Sequence, residues 1–283
     1  MKILLTGGSG DLGQVLAPKL AKLGHEPVIL DIMPPLTQGV DFIQQSLLEP
    51  ATLAQALQGM DAVVHIAAWH GIHEVKGIKS EAEFWDLNVN GTFNLLQACI
   101  QEKIPRIVHI SSTSVRKSSG FYGLTKRIAE STVDHFHHAQ GLQTMTLRPR
   151  AFIPHWNRSV YDDYLAWARR FWPGAVHIDD VCQAVIGSLH LLESDPPGES
   201  LKLTIDRAQD FPAAALTGWD TQGPGDTFRQ HFPLYVSLAE EQGLDTTVRP
   251  HSEDIEPARE VIDYQPRFGL QEMLQELSQQ ALR

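Results

Sequence analysis

The chain has 283 residues, 42% hydrophobic and 20% charged, which is enough to bury a large core without disulfide or metal staples. Its formal net charge of -11 argues against a phosphate-backbone grip on nucleic acid or an anionic membrane, both of which need clustered Lys and Arg. A small-molecule partner is expected instead. The cysteines Cys99 and Cys182 are far apart in sequence and read as buried reduced thiols.

The opening MKILLTGG holds an apolar run shorter than the hydrophobic region of a signal peptide, so it reads as a first strand. No later run approaches the roughly 20 apolar residues that span a bilayer. A soluble, cytoplasmic protein is expected. Strand KILLT leads to a helix over about Leu12 to Leu23, then PVILD, DFIQQ, a helix over about Ala51 to Leu57, DAVVHIA, a helix around Phe84 to Ile100, and RIVHIS. This alternation predicts an α/β fold with a doubly wound parallel sheet covered by helices on both faces. A further helix begins near Gly123, and TMTLRP ends a strand at Pro149.

Beyond Pro149 the rhythm breaks into an aromatic and charged insert, FIPHWNRSVYDDYLAWARRFWPG, before AVHIDDVCQAVIGSLHLL resumes a strand and a helix. From Asp206 the chain reads as loop-rich, punctuated by Pro212, Gly218, Gly223, Pro224 and Gly225, until a last helix near Leu270 to Leu282. The expected division is a dinucleotide-binding domain over 1–150, completed by about 175–205. A small C-terminal substrate-binding lobe would be formed by 151–174 and 206–283.

The first turn carries a strand–glycine–helix signal, with Gly7, Gly8, Gly10 and Gly13 in ILLTGGSGDLGQVL. Such glycines permit a tight turn, close approach of a pyrophosphate and close helix–strand packing, while the helix N-terminus offers free N–H groups. Gly7, Gly10, Asp11, Leu12 and Gly13 are the expected cofactor contacts there. Asp31 ends the second strand, where its carboxylate would accept from a ribose 2′-OH and repel a 2′-phosphate; no Lys or Arg follows in IMPPL. NAD is therefore expected over NADP. Ala67 and Ala68 close the strand DAVVHIAA with small residues where bulk would meet a dinucleotide.

The strand IVHIS ends in the hydroxyls Ser111, Ser112 and Thr113, and Tyr122-Gly-Leu-Thr-Lys126 follows. Four residues apart on a helix, Tyr122 and Lys126 share a face. Hydride chemistry at a carbinol carbon needs proton transfer at its oxygen, and a tyrosine of pKa about 10 is a poor base near neutrality. A lysine charge at about 4 Å is worth roughly 4 kcal/mol at an effective dielectric of 20 and only about 1 in water, so the pair needs a closed site.

These motifs resemble the extended short-chain dehydrogenase/reductases, also called the NAD-dependent epimerase/dehydratase family. TGGSGDLG, Asp31, DAVVHIAA, LNVNGTFNLLQAC, HISSTS, YGLTK, LRP and VHIDDV occur in the family's order, and EPAREVIDYQPRFGLQEML looks like its C-terminal segment. The resemblance implies a Rossmann-type fold in which Asn88 holds the cofactor-side geometry, Ser111 borders the cofactor and Thr113 or Ser112 is the catalytic hydroxyl. It also implies that Lys126 binds the nicotinamide ribose, and that two chains pair through the helices carrying Asn88 and Tyr122.

The chain departs from the family in three places. The loop before Tyr122 is short, Ser46 stands where an Asp often meets adenine, and the stretch between LRPR and VHIDDV is trimmed. In that trimmed region the chain is similar to the uronate dehydrogenases, which handle a free sugar acid. Candidate substrate contacts are Trp69, His70, His73, Thr113, Arg150, His155, Trp156, Asn157 and Arg158, since aromatic faces stack on sugars and an Arg fork suits a carboxylate.

The HFHH run at His135 to His138 lacks partners at zinc-like spacing, and no metal is expected. The leading expectation is an NAD-dependent oxidoreductase or epimerase acting on a sugar or sugar acid. A nucleotide-sugar epimerase or dehydratase with tightly bound NAD, or a noncatalytic NAD-binding protein of the same fold, are the alternatives.

Overall fold

The computed structural model describes residues 1–117, 119–219, 221 and 225–281; the punctuation expected at Gly223 and Pro224, and Leu282 of the last helix, lie outside them. Seven parallel strands form one sheet in the order β3-β2-β1-β4-β5-β6-β7. They are β1 (Lys2–Thr6), β2 (Glu26–Asp31), β3 (Asp41–Gln44), β4 (Ala62–His65), β5 (Arg106–Ile110), β6 (Gln143–Pro149) and β7 (Leu201–Ile205). The order reverses between β1 and β4, which opens a crevice at the C-terminal edge where such sheets bind ligands. This is the Rossmann-type, doubly wound parallel sheet expected from the alternation.

One face is covered by α1 (Asp11–Lys22), α8 (Ile178–Ser194) and α12 (Glu256–Ile262), whose Leu16, Val181 and Ala258 pack on Ile3, Val64 and Val108. The other lies under α2 (Pro50–Ala56), α5 (Thr92–Gln101) and α6 (Phe121–Gln140), where Leu53, Leu96 and Val133 cover Leu4, Val63 and Ile107. Two short helices, α3 (Gly71–Val75) and α4 (Glu81–Trp85), precede α5. A π-helical turn over Asp86–Gly91 joins α4 to α5, so the helix expected from Phe84 to Ile100 is broken into pieces.

The strand expected at AVHI does not form. Ile178 already belongs to α8, His177 caps that helix by accepting from the Asp179 N–H, and only Val176 makes a backbone bond to the insert. The seventh strand is instead LKLTI, in register with β6. The region beyond Asp206, expected as loops, holds α9 (Ala213–Gly218), α10 (Asp226–His231), α11 (Val236–Glu241) and α12, with α13 (Leu270–Ala281) last. Together with α7 (Tyr164–Gly174) of the insert, it buries a separate aromatic cluster that includes Trp167, Trp172, Phe211, Trp219 and Phe228. Among the described residues no helix is long and apolar enough to cross a membrane.

A polar row crosses the sheet beneath α5 and α6. Thr6, His65, His109 and Thr146 are consecutive register partners on β1, β4, β5 and β6. His65 is satisfied by the hydroxyls of Thr6 at 2.8 Å and Thr92 at 2.9 Å. His109 is fully buried, and neither ring nitrogen has a partner among the described residues.

Candidate active site

A cavity of about 1110 Å3 runs along the C-terminal edge of the sheet, from Asp31 and Ser46 at one end to the insert and α7 at the other. Its first half is shaped by the turn after β1. Gly7 has φ +66°, and a Cβ there would lie 2.6 Å from the Ala67 Cα, so the turn closes tightly on the end of β4. Gly10 caps α1 without a side chain, which leaves the first N–H groups of the helix facing the cavity as an anion site.

The Asp31 carboxylate accepts from the N–H groups of Ser9 and Met33, both at 3.1 Å, and keeps lone pairs for a further donor. Ala67 and Ala68 line the floor, and Ser46 with Leu47 and Leu48 lines the far end. A glycine cradle, an uncapped helix terminus and an acid at the end of β2 fit a dinucleotide such as NAD.

Two of the expected cofactor residues, Gly13 and Asn88, stand behind the cavity wall and shape it from there. Gly13 is absent from the cavity wall; a Cβ on it would lie 2.2 Å from the Gly8 carbonyl, so it is a helix-to-turn packing position. Asn88 is buried in the π-helical turn and spends its amide on protein groups. Its Oδ1 accepts from the Trp69 N–H at 2.8 Å, and its Nδ2 donates to the Trp69 carbonyl at 2.9 Å and to the Thr125 hydroxyl at 3.0 Å. It thus ties the end of β4 to the helix that carries Tyr122 and Lys126. A π-turn places the residue inward where regular helix would not, as is frequent at functional sites.

Tyr122 and Lys126, both buried on α6, line the middle of the cavity beside Ser111, Ser112 and Thr113. Ser111 turns its hydroxyl to Glu130 at 2.5 Å, and Glu130 in turn holds a two-point ion pair with Arg148. Thr113 begins a single 3-10 turn that Ser112 caps by accepting from the Ser114 N–H at 3.1 Å.

Burial pushes the Tyr122 hydroxyl up to about 12, opposed by the neighbouring Ser112 hydroxyl. Burial pushes Lys126 down to about 8, opposed by Glu130. The sequence suggests that Lys126 lowers the tyrosine. In the structure its Nζ donates instead to the Ile110 carbonyl at 2.8 Å, because in a buried setting the ammonium takes the nearest acceptor.

At the other end Trp69, His70, His73, Thr113 and Arg150 line the cavity, while Trp156 and Arg158 do not. Trp156 is 43% exposed, and Arg158 is exposed and bonds the Asp162 carbonyl within its own loop. His155 packs edge-on against Tyr164 of the lobe. Asn157 reaches the first turn of α1, where its Nδ2 donates to the Asp11 carboxylate at 2.8 Å. His70 is pushed down to about 4, chiefly by burial and then by His73 and Lys126, so it meets a ligand as a neutral imidazole.

Arg150 lines the wall with its charge already matched. It donates to the His251 carbonyl at 2.5 Å and stands 3.5 Å from the buried Asp206 carboxylate. Arg116 is likewise paired with Glu253. Arg170, on α7, also lines the cavity and makes no ion pair or hydrogen bond among the described residues. Sequence reasoning missed it; its only signal was a place between Trp167 and Phe171, two residues that face the cavity. Along the HFHH run His135 and His138 are exposed, and the described residues hold no cluster of three potential metal ligands.

The architecture is similar to solved structures of nucleotide-sugar enzymes. Over all of both chains it superposes on MoeE5 in complex with UDP-glucose and NAD with a TM-score of 0.71 at 22% identity, a likeness of fold. Among curated proteins it is 34% identical over 172 residues to a 2-alkyl-3-oxoalkanoate reductase of Stenotrophomonas maltophilia, covering 53% of this chain and 50% of that one. It is 24% identical over 209 residues to a uronate dehydrogenase of Pseudomonas syringae pv. tomato, covering 65% of this chain and 73% of that one. The chain spans half or less of the length of several curated relatives that it matches. The family model described as NAD dependent epimerase/dehydratase matches residues 3–203, from the glycine turn through Asp31, Tyr122 and Lys126 to β7, and the chain belongs to that family.

Proposed function

We propose that the protein is an NAD-dependent oxidoreductase or epimerase that transfers hydride at a hydroxyl-bearing carbon of a small sugar or sugar acid. The observation that carries this reading is the convergence of Tyr122, Lys126 and Ser112 on one cavity whose other end is the glycine turn and Asp31. NAD, when bound, supplies the hydride acceptor. Gly7, Gly10, Leu12 and the N–H groups of α1 would hold its phosphates, and Asp31 its adenine-side ribose.

Tyr122 holds or returns the proton at the reacting oxygen, and Ser112, the hydroxyl beside it, steadies that oxygen; Thr113 is the alternative. Lys126, released from Ile110 to a ribose hydroxyl, brings its charge toward Tyr122 in a site walled from water. Residues 1–150 with 175–205 form the cofactor unit in this reading, and 151–174 with 206–283 the substrate lobe.

The trimmed insert favours a sugar acid over a nucleotide diphosphate; Arg116 and Arg150 have matched charges, and Arg170, with Lys117 also on the cavity wall, would meet the carboxylate. A second reading is favoured by the apolar wall of Ile72, Phe152, Ile153 and Phe171: a ketone or alcohol with an apolar chain, the substrate type named for the reductase relative. A panel of uronates, aldoses, UDP-sugars and 3-oxo acids, scored for NADH change and for isomer formation, separates these. Turnover of UDP-sugars alone would overturn the small-substrate reading. A cytoplasmic homodimer paired through α5 and α6, where Phe93 and Leu124 are exposed, completes the proposal.

A further inference from the structure

The insert between β6 and α7 crosses back to the first turn of the chain. Asn157 and Asp11, 146 positions apart, are joined by the 2.8 Å hydrogen bond from the amide Nδ2 to the carboxylate. Asp11 follows Gly10 directly and lines the cavity, so the contact lies where a pyrophosphate would meet the helix terminus. The tip that carries Asn157 is well braced. Its Oδ1 accepts from the N–H and the hydroxyl of Ser159 at 3.1 and 2.6 Å, and its carbonyl accepts from the N–H groups of Val160 and Tyr161 at 3.1 and 3.0 Å.

The path continues on the far side. The Ser159 carbonyl accepts from Lys76 Nζ at 2.8 Å, just past α3, and Glu74 of α3 accepts from the N–H of Phe121, the first residue of α6, at 2.5 Å. The backbone of α3 also meets the catalytic helix, since a Cβ on Gly71 would lie 3.4 Å from the Tyr122 ring. Hydrogen bonds thus run from the cofactor turn, over the insert and α3, to the helix of Tyr122.

We propose that this belt is a clasp over the dinucleotide groove, with Asn157 as the positioning residue that holds it shut, so that cofactor exchange requires the Asn157–Asp11 contact to open. The inference rests on the NAD reading above. Asp11 is an unusual neighbour for a phosphate site, because its charge opposes the ligand's. The amide of Asn157 engages that carboxylate and draws it toward the insert. Opening the clasp sets the acid free beside the phosphates and loosens the insert, whose Phe152, Ile153 and Tyr161 line the cavity, and both changes favour release. Since lid opening and product release often limit turnover, the state of this contact would decide whether NADH leaves after each cycle or stays for a return transfer.

The test is NADH release from the full chain, followed by stopped-flow fluorescence in the wild type, Asn157→Asp, and the exchange variant Asp11→Asn with Asn157→Asp. Asn157→Asp sets two carboxylates face to face and is expected to speed release at least fivefold, with faster amide exchange at 157–161. The exchange variant keeps the net charge and restores the hydrogen bond with donor and acceptor swapped, so it should return release to within twofold of wild type. Unchanged release in Asn157→Asp, or an exchange variant as fast as the single one, would overturn the clasp. Should Asn157→Asp fail to fold, Lys76→Gln opens the belt at its other joint. Faster release there supports the clasp and unchanged release overturns it. Failure of the wild type to bind NADH would refute the cofactor reading itself, whereas normal binding with insensitive release refutes only the clasp.

Discussion

Replacing His109 by phenylalanine should stabilise the protein more at pH 5.5 than at pH 7.5, by about 1.4 kcal/mol. His109 is fully buried, both ring nitrogens lack partners among the described residues, and burial, Lys126 and His65 hold its pKa well below the ordinary value. The imidazole therefore stays neutral in the folded state, while in the unfolded chain it takes a proton as pH falls below about 6.5. A depressed folded pKa on a histidine means that stability is fully present above the unfolded pKa and is lost below it. At pH 5.5 the loss is RT ln 11, or about 1.4 kcal/mol.

Other groups titrate in the same window. His65, at about 3, acts in the same direction. Asp180, raised to about 6 by burial, acts in the opposite one. Both cancel when variant and wild type are compared at each pH. Any packing change from the larger ring is the same at both pH values and cancels as well. Urea unfolding of the two proteins at pH 7.5 and 5.5 gives the number. A stability difference that does not change with pH would mean that His109 protonates inside the fold, and the reasoning would fail.

Tyr122→Phe should lower kcat by roughly 10²- to 10⁴-fold and leave NAD binding measured by calorimetry within about twofold; retained turnover would remove Tyr122 from the chemistry. Gly13→Ala would put a Cβ 2.2 Å from the Gly8 carbonyl, a contact with backbone that cannot be relieved by a rotamer, and should cost about 1–3 kcal/mol in chemical denaturation while weakening NAD. Arg170→Met should raise KM for an anionic substrate by about 10- to 100-fold, the worth of a hydrogen bond to a charged group. The KM of a neutral analogue should hardly change, and equal effects on both would sink the carboxylate assignment.

The features that could be read from the sequence are those fixed by local chemistry. Gly7 announces a left-handed turn, Asp31 ends a strand, and Tyr122 and Lys126 share a helix face whatever surrounds them. What could not be read depends on partners distant in sequence. AVHI and LKLTI are both mostly apolar, but only the second pairs with β6, because His177 and Ile178 are already committed to starting α8.

Arg150 looks like a free cation until Asp206, across the sheet edge, meets it. Arg158, in a loop of similar composition, folds onto its own backbone. The insert is tied to the first turn of α1 by the bond from Asn157 to Asp11, a contact that no spacing encodes. Asn88 is an intermediate case: its motif marks its importance, and only the π-turn shows that it acts by fastening Trp69 to Thr125.

The same burial that gives the Tyr122–Lys126 pair its strength also works against it. In a low dielectric a lysine charge acts strongly on a phenol, yet desolvation drives both groups to their neutral forms, Tyr122 upward and Lys126 downward. Near neutrality, then, the phenol keeps its proton, and the ammonium is held by the Ile110 carbonyl, out of use. Glu130 restrains the fall of Lys126, and Arg148 with Ser111 holds Glu130 in place. The ion pair between Glu130 on α6 and Arg148 on β6 supports the lysine's charge, keeping it available near pH 8. With Glu130 neutral, Lys126 would lose its proton at a lower pH, and the pair would lose the cation on which its chemistry depends.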